Sequence, residues 1–366
     1  MARKHFFKIT LVVLAGIFLL SLPGYAQQAK KVVNEKGVFL GGELIADKQT
    51  YLKAIEEGGL RHYTAHTLSQ AKKMVEAFMN QFPEIKVEIT RAAGATLNEK
   101  MLTEQAAGVL KADVVVNSDR NYLNDFYAKG WLRKNIPPSD AMYAEASKEA
   151  GYYYPTGASA IIMAYHTKLV SKEDAPKDWK DLGDPKWKGK LGGQQLTGGA
   201  MWSMVVFIRT QLKDGVDILE SWGKNDPIMY TSGGGLANAL TAGEFAVTNM
   251  GVYSSYPAKY NKGAPIEMVF PKSGFPLYIP VIGLMNQGQH PNAAKLFINW
   301  YLSAEGQILL SKIRGQWSLR DDVPPAPHLP PLSELENYWI PDPKLYLDPE
   351  LRNKWIQEAN KAFDWR

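Results

Sequence analysis

From Leu60 onward the apolar positions alternate between two spacings. Leu60-Arg61-His62-Tyr63 is short and strand-like, Thr64-Ala65-His66 interrupts it, and Leu68, Ala71, Val75, Phe78, Met79 and Phe82 then recur at helical spacing until Pro83. Thr67-Leu68-Ser69-Gln70 has the Thr-x-x-Gln form of a capping box at the start of that helix. The unit repeats. Ile85, Val87 and Ile89 alternate as a strand, Arg91 to Ala95 is a loop, and Thr96-x-x-Glu99 caps a helix carrying Leu97, Met101, Leu102 and Gln105. Val114-Val115-Val116 makes a third, buried strand. Strands separated by helices of this length predict an α/β fold with a parallel sheet and right-handed connections. The loops at 64–66, 91–95 and 117–120 then share the carboxyl edge, where open α/β sheets bind ligands.

A second group of units lies downstream. Thr197-Gly198-Gly199 leads into an apolar helix from Ala200 to about Leu212, and Thr231-Ser232-Gly233-Gly234-Gly235 leads into a shorter one ending near Gly243. Phe245 to Met250 reads as a strand with a loop after it at Gly251 to Ser255. Tyr152 to Tyr165 and Phe275 to Met285 are long extended stretches, and two such crossings predict two lobes joined by a two-stranded hinge. Residues 27–150 with 276–315 are assigned to the first lobe, and 151–275 with 316–366 to the second. The proline-rich stretch from Asp321 to Pro343 is expected to run over the surface, before an amphipathic helix from about Pro349 to Phe363. A mature chain of about 340 residues also exceeds what a single hydrophobic core supports.

The first 26 residues follow a different pattern. Arg3, Lys4 and Lys8 make a basic start, Ile9 to Leu20 is an apolar run, and Gly24-Tyr25-Ala26 offers a small-x-small cleavage site. The run is too short to span a bilayer, which needs roughly 20 residues. A signal peptide cleaved after Ala26 is expected, placing the mature protein outside the cytoplasm. The leader carries three of the five net positive charges, leaving +2. With no basic block longer than Lys30-Lys31 or Lys72-Lys73, nucleic-acid binding is not expected. The chain has no cysteine, so disulfides, thiolate chemistry and a lipidated N-terminal cysteine are excluded. An exported, untethered protein is retained where a second membrane surrounds it, which points to a periplasm.

Glycine-rich loops that open helices can hold an anion, because the first backbone N–H groups lack helical partners and the helix dipole favours negative charge there. Thr197, Gly198 and Gly199, and Ser232 with Gly233, fit that requirement; taken singly, such glycines can equally serve only as tight turns. No Gly-Lys-Ser/Thr ending marks a nucleotide-hydrolysing loop. Arg91, at a strand end, can grip a carboxylate or phosphonate with two hydrogen bonds; the alternative is a solvated surface residue. Thr64, His66 and Ser118 stand on the same edge, with His66 read as a ligand contact rather than a metal ligand. Tyr253 and Ser254 can add hydroxyls from the other lobe. Trp179, Trp187, Trp202 and Trp222 are read as core, and Glu56-Glu57 as solvated. There is no Gly-x-Ser-x-Gly and no His-Glu-x-x-His.

Several segments together resemble the periplasmic iron(III)-type solute-binding proteins of ABC importers, the family 1 extracellular binding proteins. They are Tyr63-Thr64-Ala65-His66, Phe82-Pro83-Glu84-Ile85-Lys86-Val87-Glu88, the Trp-containing stretch Asp178 to Lys190, and Pro291-Asn292-Ala293-Ala294-Lys295-Leu296-Phe297 running on to Ser303-Ala304-Glu305-Gly306-Gln307. The resemblance implies a type II two-lobed fold and a monomer without cofactor. It also implies a small solute held between the lobes and an inner-membrane ABC permease as partner. Iron-binding members resemble one another in adjacent tyrosines where this chain reads Tyr253-Ser254-Ser255-Tyr256, so the adjacent pair is missing here. A small anion, namely a phosphonate, sugar phosphate or carboxylate, is the expected solute. Ferric iron with a synergistic anion is the alternative, and an enzyme on the same fold is a third reading that lacks the cysteine nucleophile such variants use.

Overall fold

The expected strand and helix units between Gly59 and Asn117 are all present in the computed structural model, which describes residues 29–149, 151–196, 199–326, 329–340 and 348–363. In chain order the first part runs β1 (Lys31–Asn34), β2 (Gly37–Leu40), β3 (Glu43–Asp47), α1 (Lys48–Glu57), β4 (Gly59–Thr64), α2 (Leu68–Gln81), β5 (Lys86–Arg91), α3 (Gly94–Ala106), β6 (Val114–Asn117), α4 (Arg120–Ala128) and β7 (Tyr153–Pro155). The second comprises β8 (Ser159–His166), β9 (Leu191–Gln194), α5 (Ala200–Thr210), α6 (Gly215–Gly223), β10 (Ile228–Tyr230), α7 (Gly233–Ala242), β11 (Val247–Val252), α8 (Pro257–Tyr260), β12 (Ile266–Val269) and β13 (Phe275–Tyr278). β14 (Val281–Leu284), α9 (Pro291–Leu302), α10 (Ala304–Arg314), β15 (Tyr338–Trp339) and α11 (Pro349–Ala362) complete the fold.

Two sheets make two lobes. The first has the order β5-β4-β6-β14-β7, with β4 parallel to both neighbours and β14 antiparallel to β6 and β7. Val114 and Val116 face one hydrophobic cluster and Val115 the other, so a sheet covered on both faces explains the unbroken apolar run. The second sheet has the order β10-β9-β11-β8-β13-β15, with β12 also paired to β8. It is covered by a single large core that contains Trp179, Trp187, Trp202 and Trp222. The indole N–H groups of Trp179, Trp187 and Trp222 donate to the backbone oxygens of Gly274, Asp181 and Trp179, which fixes these rings as packing residues.

Both expected crossings lie between the lobes, but the assigned bounds shift, because Tyr153–Pro155 pairs within the first sheet and Phe275–Tyr278 within the second. The chain leaves β7 for β8 and returns from β13 to β14, and the two passes are tied by Thr156 N–H donating to Pro280 O at 2.8 Å. A third pass joins them where Ala158 and Trp317 exchange backbone hydrogen bonds at 2.8 and 3.0 Å, just beyond α10.

Several local expectations are corrected. The polar lead-in folds as an antiparallel β1-β2-β3 meander followed by α1, with Val38 and Ile45 buried. Thr67 stands at the N-cap of α2 without a side-chain capping bond. Helix α3 begins at Gly94, two residues before Thr96, because Leu97 N–H already bonds Ala93 O at 2.7 Å. Glu57 is not solvated: it is half-buried and accepts the Asn292 and Ala293 amides at 2.9 and 2.8 Å, satisfying the free N–H groups at the start of α9.

Candidate functional site

The carboxyl ends of β4, β5 and β6 carry Thr64, His66, Arg91 and Ser118 on one edge of the first sheet, as expected. Thr64 is fully buried, and its hydroxyl accepts the His66 amide at 3.1 Å, fixing the turn. Arg91 is exposed and donates Nε–H to His66 O at 3.2 Å. The His66 imidazole is buried, with Nδ1 3.3 Å from the Tyr301 hydroxyl and Nε2 without a partner. Burial first, then the charge of Arg314, then His62 push its pKa well below the ordinary value, so the ring is neutral.

Nothing in the sequence pattern singles out Arg314. At the end of α10 it looks like any basic residue placed on a helix C-terminus. In the fold Arg314 is 8% exposed, makes no ion pair among the described residues, and leaves Nε and Nη1 without acceptors there. Gln316, two residues on, is fully buried; its amide nitrogen donates to Tyr278 at 3.0 Å and its Oε1 is free. Residues 314–316 lie at the third interlobe pass, so these unpaired groups sit beside the hinge. Buried polar atoms are nearly always paired, so these orphaned atoms are free to meet a ligand or water.

The other expected elements come from the second lobe. Thr197 and Gly198 lie outside the described residues. Gly199 ends their loop in a left-handed conformation (φ +60°), which favours glycine, and a Cβ there would come within 3.3 Å of Ser118 Oγ. Ser118 of one lobe and Gly199 of the other therefore meet. Next to them Asp119, 1% exposed, accepts the Gly199 N–H at 3.1 Å, so part of the α5 N-terminus already holds a carboxylate. Ser232 caps α7 by accepting Gly235 N–H at 3.2 Å. A Cβ on Gly233 would sit 3.2 Å from Gln194 Oε1, which has no partner. Fully buried Asn249 on β11 likewise leaves both amide atoms unpaired.

Ser254 is half-buried, and its backbone N–H donates to Ser159 Oγ at 3.1 Å. Tyr253 is 3% exposed and stacks between Phe270 and Trp317 at 5.4 and 5.1 Å, where burial pushes its phenol up to about 12. Tyr256 is fully buried and its phenol is raised as well by burial. Among the described residues, no three His, Asp or Glu side chains converge as a metal site would require.

Two α/β lobes, a strand hinge and an orphaned guanidinium beside it are the anatomy of a closing ligand trap. Residues 73–337 match the family described as bacterial extracellular solute-binding protein. The chain belongs to that family. A solute-binding protein of this kind is a binding component and works with a membrane permease. The chain is 23% identical over 293 residues to an Fe(3+)-binding periplasmic protein of Serratia marcescens, covering 77% of this chain and 85% of that one. It is 26% identical over 252 residues to a putative 2-aminoethylphosphonate-binding periplasmic protein of Salmonella typhimurium, covering 66% and 72%. Its fold superposes with a TM-score of 0.75 on the periplasmic binding protein AfuA of Actinobacillus pleuropneumoniae, solved with fructose-6-phosphate, at 20% identity and coverage of 84% and 99%. The fold of this solute-binding protein is thus the type II two-lobed one.

Proposed function

We propose that this solute-binding protein works in the periplasm, after removal of its leader at Ala26, as a monomer that captures a small organic anion and passes it to an ABC permease. The observation that carries the reading is Arg314: a buried guanidinium with no carboxylate partner is costly, and an anionic guest would offset that cost. Arg314 is the inner anchor, with Gln316 and His66 offering further contacts. Arg91 stands at the rim, and Ser118, Gly233 and Ser254 contribute from the loops around it, the Gly199 N–H being taken by Asp119. Closing the lobes excludes water and strengthens each charged hydrogen bond.

Phosphonates, sugar phosphates and carboxylates are the solute classes that suit this chemistry. Relatives named for ferric iron make iron the competing guest, but the adjacent tyrosines expected of an iron site are missing, and Tyr253 is stacked between Phe270 and Trp317 while Tyr256 is fully buried. A thermal-shift panel of phosphonates, sugar phosphates, carboxylates and ferric salts tests the reading. Stabilisation by an organic anion alone supports it, and stabilisation by ferric iron alone overturns it.

A further inference from the structure

Helix α11 lies beyond the family match, which ends at residue 337. It is fastened to the second lobe along its length. The Trp355 ring packs 6.1 Å from Trp202 of α5, the Arg209 guanidinium lies 5.5 Å over Trp355, and Arg209 also pairs with Glu358. At the far end the backbone of Gly223 on α6 approaches so closely that a Cβ there would be 1.6 Å from Ala362 O. From this base one side chain crosses to the other lobe. Arg352 bonds Asp119 through Nη2, and its guanidinium lies 5.6 Å over the Tyr122 ring of α4 while remaining 5.8 Å over Trp202.

Asp119 is therefore gripped from two elements of the second lobe at once, by Arg352 and by the Gly199 amide, while its other oxygen accepts Asn121 N–H at 3.1 Å and caps α4. The Arg352 side chain is only 15% exposed and that of Asp119 1%, so the pair is shielded from the solvent that weakens surface ion pairs. Opening the lobes requires this contact to part.

We propose that α11 is an interlobe latch: Arg352 on the C-terminal helix holds Asp119 of the first lobe, and the closed state is stabilised by the chain itself as well as by its solute. A ligand's apparent affinity falls by the fraction of protein that is competent to hold it, so such a latch raises affinity and slows release whichever solute fills the cleft.

The absence of native cysteine allows the test to be made without a guest. Spin labels on Lys72→Cys and Lys262→Cys, both exposed and on different lobes, report the interlobe distance in the full-length protein. In Arg352→Ala and Asp119→Asn the ligand-free distribution shifts toward longer distances, and Arg352→Lys restores part of the short population. Where 2-aminoethylphosphonate or inorganic phosphate binds, its dissociation rate rises about tenfold, the equivalent of one charge-assisted hydrogen bond. Wild-type distances in correctly folded Arg352→Ala, checked by circular dichroism, overturn the latch. Opening of Arg352→Ala without binding of any anion keeps the latch and removes the anion reading, so the two stand or fall separately.

Discussion

Arg314 places an unpaired guanidinium close enough to His66 that its charge helps hold the imidazole neutral. Cation and uncharged ring lie on the same floor, one a fixed donor of positive charge and the other a hydrogen-bonding group that does not add to it. Under the proposed function, a negative guest would offset the cost of burying that cation.

Arg314→Met separates binding from structure. Anion affinity is expected to fall by roughly 10- to 100-fold, the range for loss of a hydrogen-bonded charge. The ligand-free melting temperature should hold or rise, since a buried charge without a partner has been removed. Calorimetric titration and a ligand-free thermal melt check the two halves; a melting temperature lowered by several degrees would show that Arg314 is a structural residue instead.

Arg91→Ala is the milder counterpart. Its guanidinium is exposed and bonds only the carbonyl of His66. Affinity should drop less than about tenfold, by an amount that shrinks at high salt because exposed charges are screened. Binding measured at low and high ionic strength decides it, and unaltered affinity at both returns Arg91 to the solvated surface.

Acid should weaken the fold through His62. The ring is buried beside Phe297, and burial lowers its pKa from 6.5 to about 3. Its folded pKa is depressed below the unfolded value, so the unfolded chain binds the proton first. The stability it contributes is present above pH 6.5 and is lost as the pH falls toward 3. The loss is about 1.4 kcal/mol per unit, or roughly 2 kcal/mol by pH 5. Denaturant midpoints for wild type and His62→Phe between pH 7 and 5 should diverge, the variant losing less.

Ferric loading should leave the protein colourless. Tyr253 is stacked between Phe270 and Trp317 and Tyr256 is fully buried, so neither phenol is presented to an incoming ion, and a visible tyrosinate charge-transfer band after ferric citrate addition would contradict that placement.

Gly223→Ala should loosen the C-terminal helix. A methyl group there meets the Ala362 carbonyl at 1.6 Å, so α6 and α11 must separate, at a cost of about 1–3 kcal/mol. Limited proteolysis is expected to clip the region of α11 in the variant before the rest of the chain.

The sequence patterns carried the architecture well. The 3.6-residue and alternating spacings between Leu60 and Val116 fixed one parallel unit, and the extended runs at Tyr152 and Phe275 marked the hinge, because long buried elements impose their period on many residues at once. The β1-β2-β3 meander escaped since its strands are short and partly polar, and α3 starts early because Leu97 N–H already bonds Ala93 O, one helical turn ahead of the Thr96 cap. Glu57, Asp119, Arg314 and Arg352 escaped for a common reason: each acts on a residue far away in the chain, and spacing says nothing about partners brought together only by folding. Glycine loops were legible as helix starts, but that Asp119 would fill one of them was not.

β14 is the fourth strand of the first sheet, yet it follows the whole of the second sheet's β8-to-β13 segment in the chain. Until Leu284 has been synthesised, β6 presents an unpaired edge and β7 has no neighbour in that sheet. No single backbone cut yields two self-sufficient halves, and assembly must wait on contacts of large sequence separation, which are the slow ones to form. Such a polypeptide gains its shape late, after nearly all of it has been made.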